Sequence, residues 1–188
     1  GGEVRFETKL TDIRVKGGRV HGAAFNHEET LHTDILVLAL GHSARDTVQM
    51  LHEQKIPMTP KAFSMGVRIE HPQALIDQAQ YGPFASHPRL EPSDYRLVHH
   101  CPNGRTAYTF CMCPGGRVIG ASSEPGGIVV NGMSLYARNG PNANSALLVG
   151  VNPADFGSSS PFSGVSFQRQ WEQKAFEMGG GDYFAPVQ

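Results

Sequence analysis

The 188-residue chain is short of the features that mark several functional classes. It holds three cysteines, an odd and small number that argues against a disulfide scaffold and fits a reducing, cytoplasmic setting. No apolar run approaches membrane-spanning length; the longest, Ile35-Leu36-Val37-Leu38-Ala39-Leu40, is strand-sized, and no signal-peptide pattern is present. Lysines and arginines number 16 against 17 acidic residues, for a formal net charge of -1. The cations Lys61, Arg68, Arg96 and Arg105 are scattered, so nucleic acid and anionic lipid are not the expected partners. Gly-x-Gly-x-x-Gly, a Walker loop, Gly-x-Ser-x-Gly and a His/Glu helix pair are all absent. This stretch alone therefore carries no dinucleotide phosphate loop, nucleophile elbow or zinc-hydrolase helix. Both ends read as cuts through a longer protein: the first has no Met and begins a strand-like pattern at Val4-Arg5-Phe6, and the last is apolar.

What the chain does contain is mostly β-patterned. Lys9-Leu10-Thr11-Asp12-Ile13-Arg14-Val15 tends to period two, Lys16-Gly17-Gly18-Arg19 is a turn, and Val20-His21-Gly22-Ala23-Ala24-Phe25 returns as its partner. Residues 35–40 are apolar without alternation, the mark of a strand covered on both faces. A helix is expected after Ser43, which is placed to cap it, running to about Glu53. Residues 62–70 predict a strand, and His71-Pro72 opens a short helix. Strands are predicted at 95–100, 107–112, 117–122, 128–133 and 146–151, with residues 138–145 as turn. Spacing at Phe167, Trp171, Ala175 and Met178 predicts a last helix, stopped by Gly179-Gly180-Gly181. The class is α+β: mixed or antiparallel sheets with a few helices, and a first section resembling part of an open layered sheet.

Three places suit chemistry. The turn Gly41-His42-Ser43-Ala44 closes the all-apolar strand, and open sheets bind ligands at the carboxyl ends of such strands. A plain strand-to-helix turn explains it equally well. The second is Cys111-Met112-Cys113-Pro114-Gly115-Gly116. Its two thiols, with Cys101 and the His99-His100 pair, invite a metal or thiol-redox reading, but the spacing lacks paired Cys-x-x-Cys knuckles. Packing, with a Pro-Gly-Gly turn that lets backbone approach a ligand, is the better reading. The third is polar, with Asn131, Arg138 and Asn144 as candidates to orient a small-molecule substrate, although turn formation is the better reading of residues 139–144.

These residues bear a resemblance. Leu38-Ala39-Leu40-Gly41-His42-Ser43-Ala44-Arg45-Asp46-Thr47, Gly66-Val67-Arg68-Ile69-Glu70-His71-Pro72, Phe110-Cys111-Met112-Cys113-Pro114-Gly115-Gly116 and Asn131-Gly132-Met133-Ser134 resemble signatures of the uncharacterised NAD(FAD)-utilising dehydrogenases. Ala143-Asn144-Ser145-Ala146 and Ala185-Pro186-Val187-Gln188 fit the same pattern. The resemblance implies an FAD-binding Rossmann-type domain interrupted by a substrate-type domain, with the phosphate loop upstream of Gly1. Residues 1–55 would be a β-meander and strand-turn-helix of the FAD domain, 56–163 the inserted α+β domain, and 164–188 a helix and return segment. Gly41, His42, Ser43 and Ala44 would approach FAD; Cys111, Cys113, Gly115, Gly116, Asn131, Arg138 and Asn144 would line the substrate side. FAD would be bound by the intact protein and not by this stretch alone, with NADH, NADPH or another carrier as electron partner. The resemblance assigns no catalytic residue. A Cys/His metal or thiol-redox module, and a structural or interface domain, stand as the alternatives.

Overall fold

The computed structural model describes residues 1–184, and they divide into two compact units, Gly1–Thr59 and the chain from Pro60 onward. The final signature, Ala185-Pro186-Val187-Gln188, lies outside the described residues. The architecture is α+β, with antiparallel sheets and three helices.

The first unit is a meander with one helix. Strands β1 (Leu10–Lys16), β2 (Arg19–Phe25) and β3 (Glu29–His32) pair in that order, all antiparallel. Gly17 and Gly18 both take positive φ, +58° and +73°, the geometry whose twist matches a two-residue hairpin. At the next turn Asn26 also sits at positive φ, and its side chain receives the Lys9 N–H at 2.9 Å while donating to the Glu7 carbonyl. Helix α1 (Arg45–Glu53) packs on β1, and Ile13, Ala23, Ala24 and Leu51 form the small core.

The covered strand expected at residues 35–40 is not formed. The segment joins no strand among the described residues, and Ile35 and Val37 are 80% and 81% exposed. An all-apolar strand has no alternation with which to choose a face, so neighbouring strands must hold it; β3, the last strand before it, pairs only with β2. Residues 4–6 likewise form no strand.

The second unit begins with β4 (Phe63–Pro72), which leads directly into α2 (Gln73–Tyr81). Pro72 stands just before the first helical residue, its φ of −58° already suited to the entry. Next come β5 (Val98–His100), β6 (Thr106–Cys113), the hairpin strands β7 (Gly116–Gly120) and β8 (Val130–Ser134), β9 (Asn142–Val151) and α3 (Ser163–Met178). The main sheet has the order β4-β9-β6-β5, and β7 with β8 makes a separate two-stranded sheet. Long β9 is the spine, paired along its length with β4 and on its other side with β6.

Residues 142–145 therefore belong to a strand, not to the expected turn. Asn142, Ala143, Asn144 and Ser145 face Pro72, His71, Glu70 and Ile69 in register, and the last three are buried. Burial between two neighbours overrides the local turn preference of Asn and Ser. At the other end of the sheet, Phe63, Phe156, Phe167 and Trp171 form a chain of ring contacts with centroid spacings of 5.2, 5.5 and 6.2 Å, seating α3.

Candidate functional site

In the first unit the turn at Gly41-His42-Ser43 is open. Gly41 has φ +66° with nothing within 4 Å of where a Cβ would stand, and His42 and Ser43 are exposed. Ser43 does not cap α1. Ala44 occupies that position without a side-chain cap, and the Ser43 carbonyl receives the Arg45 N–H at 2.9 Å. The first helical turn carries Asp46, whose carboxyl is held below its usual range by the Lys9 ammonium and the Thr47 N–H. The turn thus offers backbone groups to solvent and no enclosing wall of its own.

The second unit brings the remaining candidates into two groups. In the first, the Arg68 guanidinium on β4 gathers the Cys111 carbonyl at 3.2 Å, the Cys113 Sγ at 4.0 Å and the Asn144 side-chain oxygen. A bulge between Phe110 and Cys113, with Cys111 at φ +48°, turns this end of β6 toward Arg68. Gly132 on β8 passes so close that a Cβ there would meet Arg68 and Asn144. Asn131 stays outside: its side-chain oxygen receives only the N–H of neighbouring Gly132, and the residue is exposed. No motif marks Arg68 as a site residue; the signal for it is a lone cation between Val67 and Ile69 on a sheet strand.

The second group surrounds Gly115. This residue has φ +60°, and a Cβ there would collide with the carbonyl of Arg138, itself at φ +50°. The Gly115 N–H donates to the Gln73 side-chain oxygen at 2.9 Å. From the same amide, Nε2 donates to Asp77 at 2.7 Å and to the Ser93 carbonyl at 3.0 Å, while the Gln73 backbone N–H reaches the Pro141 carbonyl. Ser93 in turn donates its N–H and hydroxyl to Asp77, both at 2.8 Å. Four chain segments thus meet on one buried glutamine. Burial pushes the Asp77 carboxyl up, but the Ser93 N–H, the Gln73 amide and the Ser93 hydroxyl together outweigh it and hold the group below its usual range. Neither Gln73 nor Asp77 was legible as a site residue, because their partners lie far along the chain.

Nearby, Glu70 receives the Val118 N–H at 2.7 Å and the Asn142 side-chain amide at 2.6 Å, which lower its pKa in that order of effect. His71 meets the Tyr95 hydroxyl at 2.7 Å, and burial raises that phenol. Two clefts open on this unit. One, of about 440 Å³, is bordered by Ser122, Ser123, Glu124 and Tyr183; the other, of about 320 Å³, by Ser93, Asp94, Pro114 and Arg138 among others.

The thiols lack the donor set a metal needs: among the described residues, no three of His, Cys, Asp and Glu converge. Burial, followed by the adjacent Cys111, pushes the Cys113 thiol up against the opposing pull of Arg68. Because the thiolate is the reactive species, exposed Cys111 is expected to react with a thiol reagent at pH 8 about tenfold faster than Cys113. Mass-spectrometric mapping of a labelling time course checks this; equal rates would contradict it.

Comparison with known proteins adds two findings. A relative from Clostridium beijerinckii, described as an uncharacterized protein, is 51% identical over 189 residues. The alignment takes in the whole of this chain, which spans 35% of that relative's length. A family model described as "FAD-dependent protein, C-terminal domain-like" matches residues 62–188, which begin just inside the second unit. That match covers well over half of the chain, and the chain belongs to this FAD-dependent family.

Proposed function

We propose that the chain is the substrate-side portion of an FAD-dependent oxidoreductase of the dehydrogenase type, and that Gly41, His42, Ser43 and Ala44 form part of the flavin pocket in the intact protein. The observation that carries this reading is the family membership, joined to an open turn at the end of an apolar segment that has no sheet of its own. The described residues taken alone do not fit the dinucleotide. Gly41 leaves room for one contact, but no glycine-rich loop presents backbone amides to a pyrophosphate at a helix start. When bound by the intact protein, FAD would supply hydride or electron transfer, with NADH or NADPH as a candidate donor. In this reading residues 1–55 belong to the flavin domain and 56–163 present the substrate wall, with 164–188 returning toward the flavin domain. Cys111, Cys113, Gly115, Gly116, Asn131, Arg138 and Asn144 would line that wall. The metal alternative gains no converging donors among the described residues.

Flavin fluorescence titration tests the reading. The 188-residue chain is expected to leave FAD fluorescence unchanged at micromolar concentrations, and the intact protein to quench or shift it on binding. Tight binding by the chain alone would overturn the division of labour. A companion substitution separates docking from folding: Val37→Asp should change the stability of the chain by no more than about 0.5 kcal/mol, since Val37 is 81% exposed. The same change in the intact protein should abolish FAD retention. Equal flavin content in wild-type and variant intact protein would count against a docked strand at residues 35–40.

A further inference from the structure

The cleft of about 320 Å³ beside Gly115 is lined by Tyr81, Glu91, Pro92, Ser93, Asp94, Met112, Pro114 and Arg138. Its volume falls at the lower end of the range for small-molecule sites. Three of its residues are ionic, and among the described residues none of the three side chains is held in an ion pair: Glu91, Asp94 and Arg138. Arg105 with Asp155 and Arg169 with Glu124 are ion-paired in the same unit, and among the described residues the three charges of the cleft, like those of Lys61, Arg89 and Arg96, are not. Here two carboxylates and one guanidinium share a cleft with proline and methionine walls and leave it with a net charge of about −1 at neutral pH.

The walls are held from behind. Ser93 is buried and fixed by Asp77 and Gln73, and Pro114 precedes the Gly115 amide that Gln73 holds. Arg138 is kept at φ +50° by its carbonyl lying against Gly115. A non-glycine residue in that region costs free energy, so the surrounding structure is maintaining a conformation that Arg138 would not adopt alone. The strain falls on the residue that brings the cleft its one cation. Pre-set walls reduce what a ligand must spend on ordering them.

We propose that this cleft binds a basic amino acid, with the ligand carboxylate received by Arg138 and its ammonium groups by Asp94 and Glu91. A carboxylate with two ammonium groups carries a net charge of +1 and complements the lining; an acidic amino acid does not. The lining is mostly polar, and the methylene stem of such a ligand would lie along its small apolar share at Met112, Pro92 and Pro114. The cleft shares Arg138 with the substrate wall proposed above, but its test involves no flavin, so its failure and the failure of the oxidoreductase reading are distinguishable.

Isothermal titration of the chain with L-lysine, lysine methyl ester and L-glutamate tests it. Lysine should bind, its methyl ester at least tenfold more weakly, and glutamate not measurably at 10 mM, in line with the strength of charge-assisted hydrogen bonds. Arg138→Gly removes the guanidinium while relaxing the backbone, so the fold should survive, with an unchanged or raised urea midpoint. In that variant lysine and its ester should bind equally weakly. Asp94→Asn should weaken both at least fivefold. No heat with lysine at 10 mM overturns the site, as does glutamate binding as tightly as lysine. A lysine-to-ester gap that persists in Arg138→Gly overturns the assigned orientation.

Discussion

Gly115→Ala is expected to cost about 2–5 kcal/mol and to leave little folded second unit in moderate urea. Two penalties combine. An alanine held at φ +60° costs about 1–2 kcal/mol, because its Cβ crowds its own carbonyl. Its Cβ would also run into the Arg138 carbonyl, a backbone atom that can step aside only by moving the 138–141 loop, and overpacking of that kind costs about 1–3 kcal/mol. Gly18→Ala is the matched control. It has a similar φ, +73°, but nothing within 4 Å of the new methyl, so only the first penalty applies, about 1–2 kcal/mol. Urea unfolding of both variants by circular dichroism measures the difference. Equal losses would mean that the close approach of Gly115 and Arg138 is not maintained in solution.

Gln73→Leu should have nearly as large an effect by a different route. The leucine fills the space, but it strands the Gly115 N–H and the Ser93 carbonyl in a buried setting and takes one donor from Asp77. Unsatisfied buried groups cost about 1–3 kcal/mol each, so a loss of about 3 kcal/mol is expected. The variant should also shift the acid limb. The folded pKa of Asp77 is depressed below its unfolded value near 4. Its stabilising contribution is therefore fully present above that value and disappears as pH falls through the lower, folded one. Removing the Gln73 donor raises the folded pKa and brings acid unfolding to a higher pH. Urea midpoints between pH 2 and 7 would show it. An unchanged acid limb with a loss under 1 kcal/mol would sink the claim that Gln73 pins the four segments.

Local signals were legible and distant ones were not. The first hairpin could be read because alternation at residues 12–15 and a double glycine at 17–18 act within a few positions. Helix α3 showed in its apolar spacing and its terminal glycines. Residues 142–145 look like a turn because Asn142, Asn144 and Ser145 carry turn propensity locally, while their pairing with β4 comes from some 70 positions away. The candidate site divided in the same way. Gly115, Cys113 and Arg138 announced themselves as unusual residues in unusual company. Gln73 did not: an ordinary glutamine at a helix start becomes a pin only through Gly115, 42 positions on. Residues 35–40 failed for the opposite reason. Their pattern specifies burial, but within the described residues no strand accompanies them.

That segment has a practical consequence for work with the chain in isolation. Six consecutive aliphatic residues, uncharged, free of proline and outside any sheet among the described residues, have the composition of a sequence that stacks against copies of itself. The meander beside it has a small core, so folding offers the segment little shelter. Solubility of the isolated chain is thus set less by its average hydropathy than by six residues, and a charge placed among them acts as the gatekeeper the local sequence lacks.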